Sequence, residues 1–259
     1  QLFLAGLIPG LALAVAFMVI TALICIVRPD LGGIRRTFPF PQMLRALVDL
    51  IPILLLFGMI VGSIYRGWAT PTEAAAVGVA GAFLIALAFG GVSWSMLTQS
   101  LTGTVKITSM IMLIVIGASF LNFTLASAGL GRELTEFMNG LGLTPLKTIL
   151  VVVVLYIVLG FFIETLSLMV VTIPIIVPLV VAQGYDVIWF GILMIVLIEM
   201  ALITPPVGLN LYVVQGARKS GSLNEVMLGA LPYCLTMLAM AFLLIAFPSI
   251  ALFLPNALQ

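Results

Sequence analysis

Residues 198–211 read Ile198-Glu199-Met200-Ala201-Leu202-Ile203-Thr204-Pro205-Pro206-Val207-Gly208-Leu209-Asn210-Leu211. Apolar sequence from Ile188 runs into the double proline, and apolar sequence resumes from Leu209 to Val214. Pro205 and Pro206 remove two amide donors in midspan, and Gly208 removes the side-chain constraint beside them. Carbonyls near Ala201 and Leu202 therefore lose their helical partners. In hydrocarbon, such carbonyls are tolerated only when buried in protein or facing a polar cavity. A discontinuous helix with open carbonyls and the Thr204 hydroxyl is a ready sodium site. A new helix starting near Pro206 would point its positive end at an anion. The competing reading is a simple proline kink, a common feature of membrane helices.

Composition places this stretch in a bilayer. Of 259 residues, 63% are hydrophobic and 7% charged, with 10 Lys and Arg against 9 Asp and Glu. A soluble domain carries about 25% charged residues, so this chain could not cover a globular surface. High hydrophobicity excludes disorder. A net charge of +1 argues against a nucleic-acid partner. The chain lacks histidine, which removes His-based triads and most catalytic zinc sites. Asp30, Asp49 and Asp186 all sit at span ends, so no paired intramembrane aspartates offer an alternative chemistry, and the chain does not read as an enzyme. Cys25 and Cys234 lie in apolar runs and read as small hydrophobes rather than a disulfide. The start at Gln1, in apolar sequence without a basic n-region, reads as a piece of a longer protein rather than a signal peptide.

A crossing helix needs about 20 mainly apolar residues. Spans are expected at about 3–27, 46–65, 71–89 and 105–126, with a short interfacial helix over 93–103 and an interfacial segment over 129–142. Two apolar arms over 146–182 flank Glu164-Thr165-Leu166-Ser167. A broken span over 188–214 and a last span at 226–247 complete the chain. The fold class is thus all-α integral membrane, with about six crossings (one a broken helix) and one re-entrant hairpin. The regions divide as scaffold-type helices over 1–66, transmembrane and interfacial helices over 67–142, a transport-type region over 143–216 and a C-terminal helix over 217–259. Cytoplasmic links are enriched in Lys and Arg. With the 28–45 link inside, Arg28, Arg35, Arg36, Arg45, Lys106, Arg218 and Lys219 face in, while Arg66, Arg132 and Lys147 face out. Two full crossings over 146–182 would leave this parity unchanged, so charge does not decide between them and a hairpin.

Three acids lie in or beside apolar stretches. Asp49 reads as an interfacial partner of Arg45. Glu164 and Glu199 have no basic residue within ten positions, and an ionisable group at such depth marks a pathway or a binding site by default. The bland reading is a hydrogen-bonded Glu that joins two helices, and it suits Glu199 better. Glu164, Thr165 and Ser167 offer the oxygen ligands that hard cations take, and Pro174 and Pro178 would loosen the second arm. Thr70-Pro71-Thr72-Glu73 is a capping box with proline in the first turn. Trp68, Trp94 and Trp189 read as interfacial anchors.

Trp68-Ala69-Thr70-Pro71-Thr72-Glu73-Ala74-Ala75-Ala76 resembles a signature of the large permease subunit of TRAP (tripartite ATP-independent periplasmic) transporters. Phe162 to Thr165 with Thr172-Ile173-Pro174 and Pro178 is similar to that subunit's second hairpin. Trp189-Phe190-Gly191, and then Ile198 through Leu211, resemble its most recognisable block. The opening Leu2 to Gly10 is similar to a run near its middle, so the chain matches the C-terminal part of the subunit. The resemblance implies half of an inverted-repeat, elevator-type sodium symporter in a bacterial inner membrane, with no cofactor beyond the coupling ion. It implies an organic acid, dicarboxylate or sialic-acid-like, delivered by a periplasmic binding protein, and a small membrane subunit alongside. Carried over by position, Glu164, Thr165, Ser167, Thr204, Pro205, Pro206, Gly208 and Asn210 would line the substrate and ion sites, with Thr165, Thr204 and Gly208 on sodium. The alternatives are the large subunit of a tricarboxylate-type tripartite transporter and a membrane scaffold that transports nothing.

Overall fold

The computed structural model describes residues 1–29, 39, 42, 47–129, 133, 136, 140, 142–218 and 221–257. Most of the basic link with Arg35, Arg36 and Arg45, most of the 129–142 segment including Arg132, and Lys219 lie outside the described residues. Among the described residues there are ten helices and no strand: α1 (Leu2–Val27), α2 (Ile51–Tyr65), α3 (Pro71–Ala88), α4 (Trp94–Ser127), α5 (Pro145–Gly160), α6 (Thr165–Ala182), α7 (Val187–Ile203), α8 (Leu209–Ala217), α9 (Leu223–Ala246) and α10 (Ser249–Ala257). Among the described residues, six stretches are long and apolar enough to cross a membrane: Leu2–Val27, Leu47–Tyr65, Pro71–Ala88, Trp94–Thr124, Thr165–Ala182 and Leu223–Ala246. The number agrees with expectation but the membership differs. The second hairpin arm qualifies, whereas α7, at 17 residues, falls short.

Contacts divide the chain into two units, one formed by Gly33–Met110 and the other by Gln1–Gly32 with Ile111–Gln259. In the first unit α2 and α3 pack side by side. Gly78 and Gly81 present no side chain to Ile60, Leu56 and Met59, which lets the two backbones approach. The expected capping box is present at the start of α3. The Thr70 amide donates to Glu73 Oε2 (2.8 Å) and the Glu73 amide donates to Thr70 Oγ1 (3.3 Å).

The second unit is organised around α7, which packs against α1, α5, α6, α8, α9 and α10. A helix that is apolar all round belongs in an interior, and eleven of its seventeen residues are buried. Asp186 starts it, its carboxylate accepting from the Ile188 and Trp189 amides (2.7 and 3.0 Å). Trp189 corrects the expectation of an interfacial anchor. It is buried, stacks on Tyr185 with ring centroids 4.8 Å apart, and donates from Nε1 to the Leu244 carbonyl (2.8 Å). Trp68 and Trp94 are exposed, and the Arg66 guanidinium lies over the Trp68 ring.

Two further expectations are corrected. The interfacial helix and the fourth span form one continuous α4 of 34 residues, about 51 Å at 1.5 Å per residue. Its first turns carry the polar residues Ser95, Thr98, Gln99 and Ser100, and with no proline inside it nothing ends the backbone ladder at Gly103. Nor do Pro174 and Pro178 open α6, which is unbroken from Thr165 to Ala182. Replacing Thr70 by Ala removes the α3 cap and is expected to cost about 1 kcal/mol, read as a lower unfolding midpoint in detergent with no change in helix content at low temperature.

Candidate functional site

The hairpin and the broken helix meet. Gly160 ends α5 four residues before Glu164, and Ala201 lies three residues before Thr204. A Cβ added to Gly160 would overlap Ala201 Cβ and come within 3.9 Å of Leu168 Cδ2. Only a glycine permits this approach, which brings the end of α5, four residues before Glu164, against α7 three residues before Thr204. Neither Gly160 nor Ala201 carries chemistry, so the sequence offered no signal beyond two small residues on apolar helices.

At the hairpin tip, Glu164 is the N-cap of α6. Oε1 accepts from the Leu166 amide (3.0 Å), while Oε2 accepts from the Ser167 amide (3.1 Å) and the Ser167 hydroxyl (3.2 Å). The carboxylate read as an isolated intramembrane charge is thus held by three donors within its own turn, at the positive end of a helix. Ser167 is committed to that cap. Thr165 is half-buried, and its hydroxyl has no partner among the described residues.

At the break, Thr204 Oγ1 donates to the Met200 carbonyl (2.6 Å). Its one proton is therefore spoken for, and its lone pairs remain available to a cation. The Thr204 amide donates to the Ala201 carbonyl (3.2 Å), so Ala201 finds a substitute for the missing Pro205 donor. The Ile203 carbonyl accepts from the Cys234 thiol of α9 (3.1 Å). The Leu202 carbonyl, whose helical donor would be the amide that Pro206 lacks, receives no backbone hydrogen bond among the described residues. Pro205 and Pro206 are joined by a cis peptide bond, and the Gly208 amide donates to the Thr204 carbonyl (3.1 Å). The new helix therefore begins at Leu209 rather than near Pro206, with Gly208 as its N-cap. A Cβ on Gly208 would stand 2.6 Å from the Leu202 carbonyl oxygen and 3.0 Å from the Thr204 nitrogen, both backbone atoms.

Asn210 is exposed on the far side of the break. With Glu199, Arg218, Glu225 and Tyr233 it lines a cavity of about 590 Å³, and no hydrogen bond joins it to the hairpin tip among the described residues. Glu199 is exposed and unpaired among the described residues, and it also borders a second cavity of about 570 Å³ against α1. It does not join two helices by a hydrogen bond.

Two contributors were not legible beforehand. Cys234 is buried in the apolar core as expected, and its thiol also serves the broken helix. Asn122 of α4 donates from Nδ2 to the Val170 carbonyl (3.3 Å). Val170 stands four residues before Pro174, so its carbonyl lacks a helical donor. The proline signalled that a donor was needed, though not which residue would supply it.

An all-helical chain whose hairpin folds onto a helix broken at a double proline has the architecture of half an inverted-repeat secondary transporter. The sequence matches the family of the tripartite ATP-independent periplasmic transporter, DctM component, over residues 1–250, and the chain belongs to that family. It is a multi-pass integral membrane protein of the bacterial inner membrane. The C4-dicarboxylate TRAP transporter large permease protein of Rhodobacter capsulatus is 33% identical over 267 residues, covering 100% of this chain and 58% of its own length. The sialic acid TRAP transporter large permease protein of Vibrio cholerae is 33% identical over 264 residues, 98% of this chain and 59% of its own. The isethionate TRAP transporter permease protein of Oleidesulfovibrio alaskensis is 28% identical over 262 residues, 98% of this chain and 40% of its own. The chain therefore spans about three fifths of the length of the first two relatives and less of the third. All three are named as transporter permeases rather than enzymes.

Gly208→Ala forces the Leu202 or Thr204 backbone to shift. The expected loss is about 1–3 kcal/mol, visible as a lower thermal midpoint of the purified protein, whereas Gly216→Ala, inside α8 with open space around it, does not lower the midpoint and adds up to about 1 kcal/mol of stability.

Proposed function

We propose that this chain supplies one hairpin and one broken helix to the ion and substrate sites of a sodium-coupled TRAP transporter that imports an organic acid. The observation that carries the reading is the Gly160–Ala201 contact. It supports a common region for the hydroxyls of Thr165, five residues beyond Gly160, and Thr204, three beyond Ala201, with the Leu202 carbonyl. Sodium takes hard oxygen ligands of this kind, and neutral oxygens beside a held carboxylate favour a monovalent cation. Gly208 contributes by leaving the Leu202 carbonyl uncovered.

The relatives support the substrate class. Those named above are a C4-dicarboxylate, a sialic acid and an isethionate transporter, and all three substrates are organic anions. The start of α8 suits an anion. Its N-cap is Gly208, which offers no side-chain acceptor, so the first amides keep their positive end open. The start of α6, by contrast, is already occupied by Glu164. Membership of the family brings with it a small membrane subunit and a periplasmic binding protein that hands over the substrate. Coupling is then a matter of affinity, since sodium favours the state that closes on substrate.

The test is uptake by proteoliposomes holding the complete large subunit, its small subunit and its binding protein, with C4-dicarboxylate and sialic acid offered in turn. Uptake is expected to require external sodium and to vanish when potassium replaces it. Thr204→Ala is expected to raise the half-saturating sodium concentration by roughly ten-fold, and Glu164→Gln to raise it as well. Sodium-independent uptake, with both variants matching the parent, would leave the two interruptions as kinks and sink the reading.

A further inference from the structure

Beneath the hairpin tip lies a buried polar junction that no part of the site accounts for. Tyr156 of α5 is fully buried, and its hydroxyl lies 2.7 Å from Thr172 Oγ1 of α6 and 3.3 Å from Met194 Sδ of α7. Thr172 is itself buried, and its Oγ1 lies 2.7 Å from the Leu168 carbonyl. Each hydroxyl has one proton, so two arrangements compete. Either Tyr156 donates to Thr172 and Thr172 to Leu168, or Thr172 donates to Tyr156 and Tyr156 to the Met194 sulfur. A carbonyl is a far stronger acceptor than a thioether, which selects the first. A buried hydroxyl deprived of its partner carries a desolvation cost, so the junction holds its three elements in one arrangement.

The chain of bonds continues upward. The Leu168 amide donates to the Glu164 carbonyl (2.9 Å), and the Leu168 side chain is the one beside Gly160. Tyr156 and Gly160 are four residues apart, on one face of α5. One side chain thus reaches α6 and α7 together, one turn below the contact that brings the tip to the break. We propose that Tyr156 is a positioning residue for the ion site. Through Thr172 and Leu168 it sets the height of the Glu164–Ser167 turn against Thr204, so that the tip and break oxygens present a single shell. The inference rests on the sodium reading above and adds to it a residue that touches neither ion nor substrate.

The experiment measures half-saturating sodium and maximal uptake for the complete transporter carrying Tyr156→Phe, Thr172→Val, both together, or Thr172→Ser, with Thr204→Ala for comparison. Tyr156→Phe keeps the ring and leaves Thr172 bonded to Leu168, so the fold survives it. Each of the two hydroxyl deletions is expected to raise half-saturating sodium about three- to ten-fold, with maximal uptake within about two-fold of the parent. The double variant should be no worse than the more affected single variant, because both remove the same link. Thr172→Ser, which keeps the hydroxyl, should return to the parent value. Sodium-dependent thermal stabilisation of the purified variants gives the same comparison without transport. An unchanged half-saturating sodium, a loss of maximal uptake alone, or effects that multiply in the double variant would each overturn the proposal while Thr204→Ala still shows its shift. If the parent ignores sodium, the functional reading falls and this inference with it.

Discussion

The close approach of Gly160 to Ala201 is the constraint on which the rest of the second unit depends. Two helices of apolar residues can pack at many heights in a medium as apolar as they are, because no hydrophobic driving force distinguishes one register from another. A pair of small residues does distinguish them, since only one register brings the backbones together without a clash. With that register set, α5 ends beside the point where α7 breaks, and the hairpin tip must turn there. Trp189 secures the other end of α7 by its hydrogen bond to Leu244, and Asp186 caps it. The central helix is thereby fixed at its start, and its broken terminus and the unpaired Glu199 are where, among the described residues, its chemistry is left unsatisfied.

Satisfaction of the backbone is the second organising rule. In hydrocarbon a free carbonyl costs several kcal/mol, so each proline creates a demand that some other group must meet. Asn122 meets it at Val170 and the Thr204 amide at Ala201, while the Cys234 thiol bonds the Ile203 carbonyl, whose helical donor would be the Val207 amide rather than a proline. The Val170 demand is met from another helix, which makes that proline a source of tertiary specificity as well as of a kink. Leu202 is the exception at the break. Its carbonyl lies against Gly208, where any larger side chain would collide with it.

What was legible in the sequence was local. The Thr70–Glu73 box involves residues three apart, and the span ends at Asp186 and Thr204 are marked by the residues that make them. The two polar interruptions stood out because hydroxyls, a carboxylate and a double proline are rare within apolar runs. What was not legible depended on which surfaces meet. Trp189 looks the same in sequence whether it faces headgroups or a protein core, and α7 gives no periodic signal because every side of it is apolar. The continuity of α4 was missed because Gly103 and its polar neighbours resemble a boundary, although glycine inside a helix with intact hydrogen bonding costs only about 1 kcal/mol. Thr172 and Met194 lie 16 and 38 residues beyond Tyr156, a spacing no local pattern reveals. The role of Glu164 was half legible: its position at the tip was plain, but its engagement by its own turn was not.

That engagement bears on how a cation and an anion could share one site. The start of α6 is neutralised by Glu164, so an organic anion gains little there and a cation beside the tip oxygens would meet little repulsion from the helix end. The start of α8 has no side-chain cap; the Leu211 amide donates to the Gly208 carbonyl, and the Leu209 and Asn210 amides have no backbone acceptor among the described residues. The two helix starts are therefore electrically unlike despite their similar place beside a break in the chain, one suited to a cation's surroundings and the other to an anion. Moving a lone ion into a low-dielectric interior is costly, and an adjacent opposite charge offsets much of that cost. On the proposed function, this asymmetry makes binding of each ion depend on the other, and it arises from a single sequence difference, a glutamate at one N-cap and a glycine at the other.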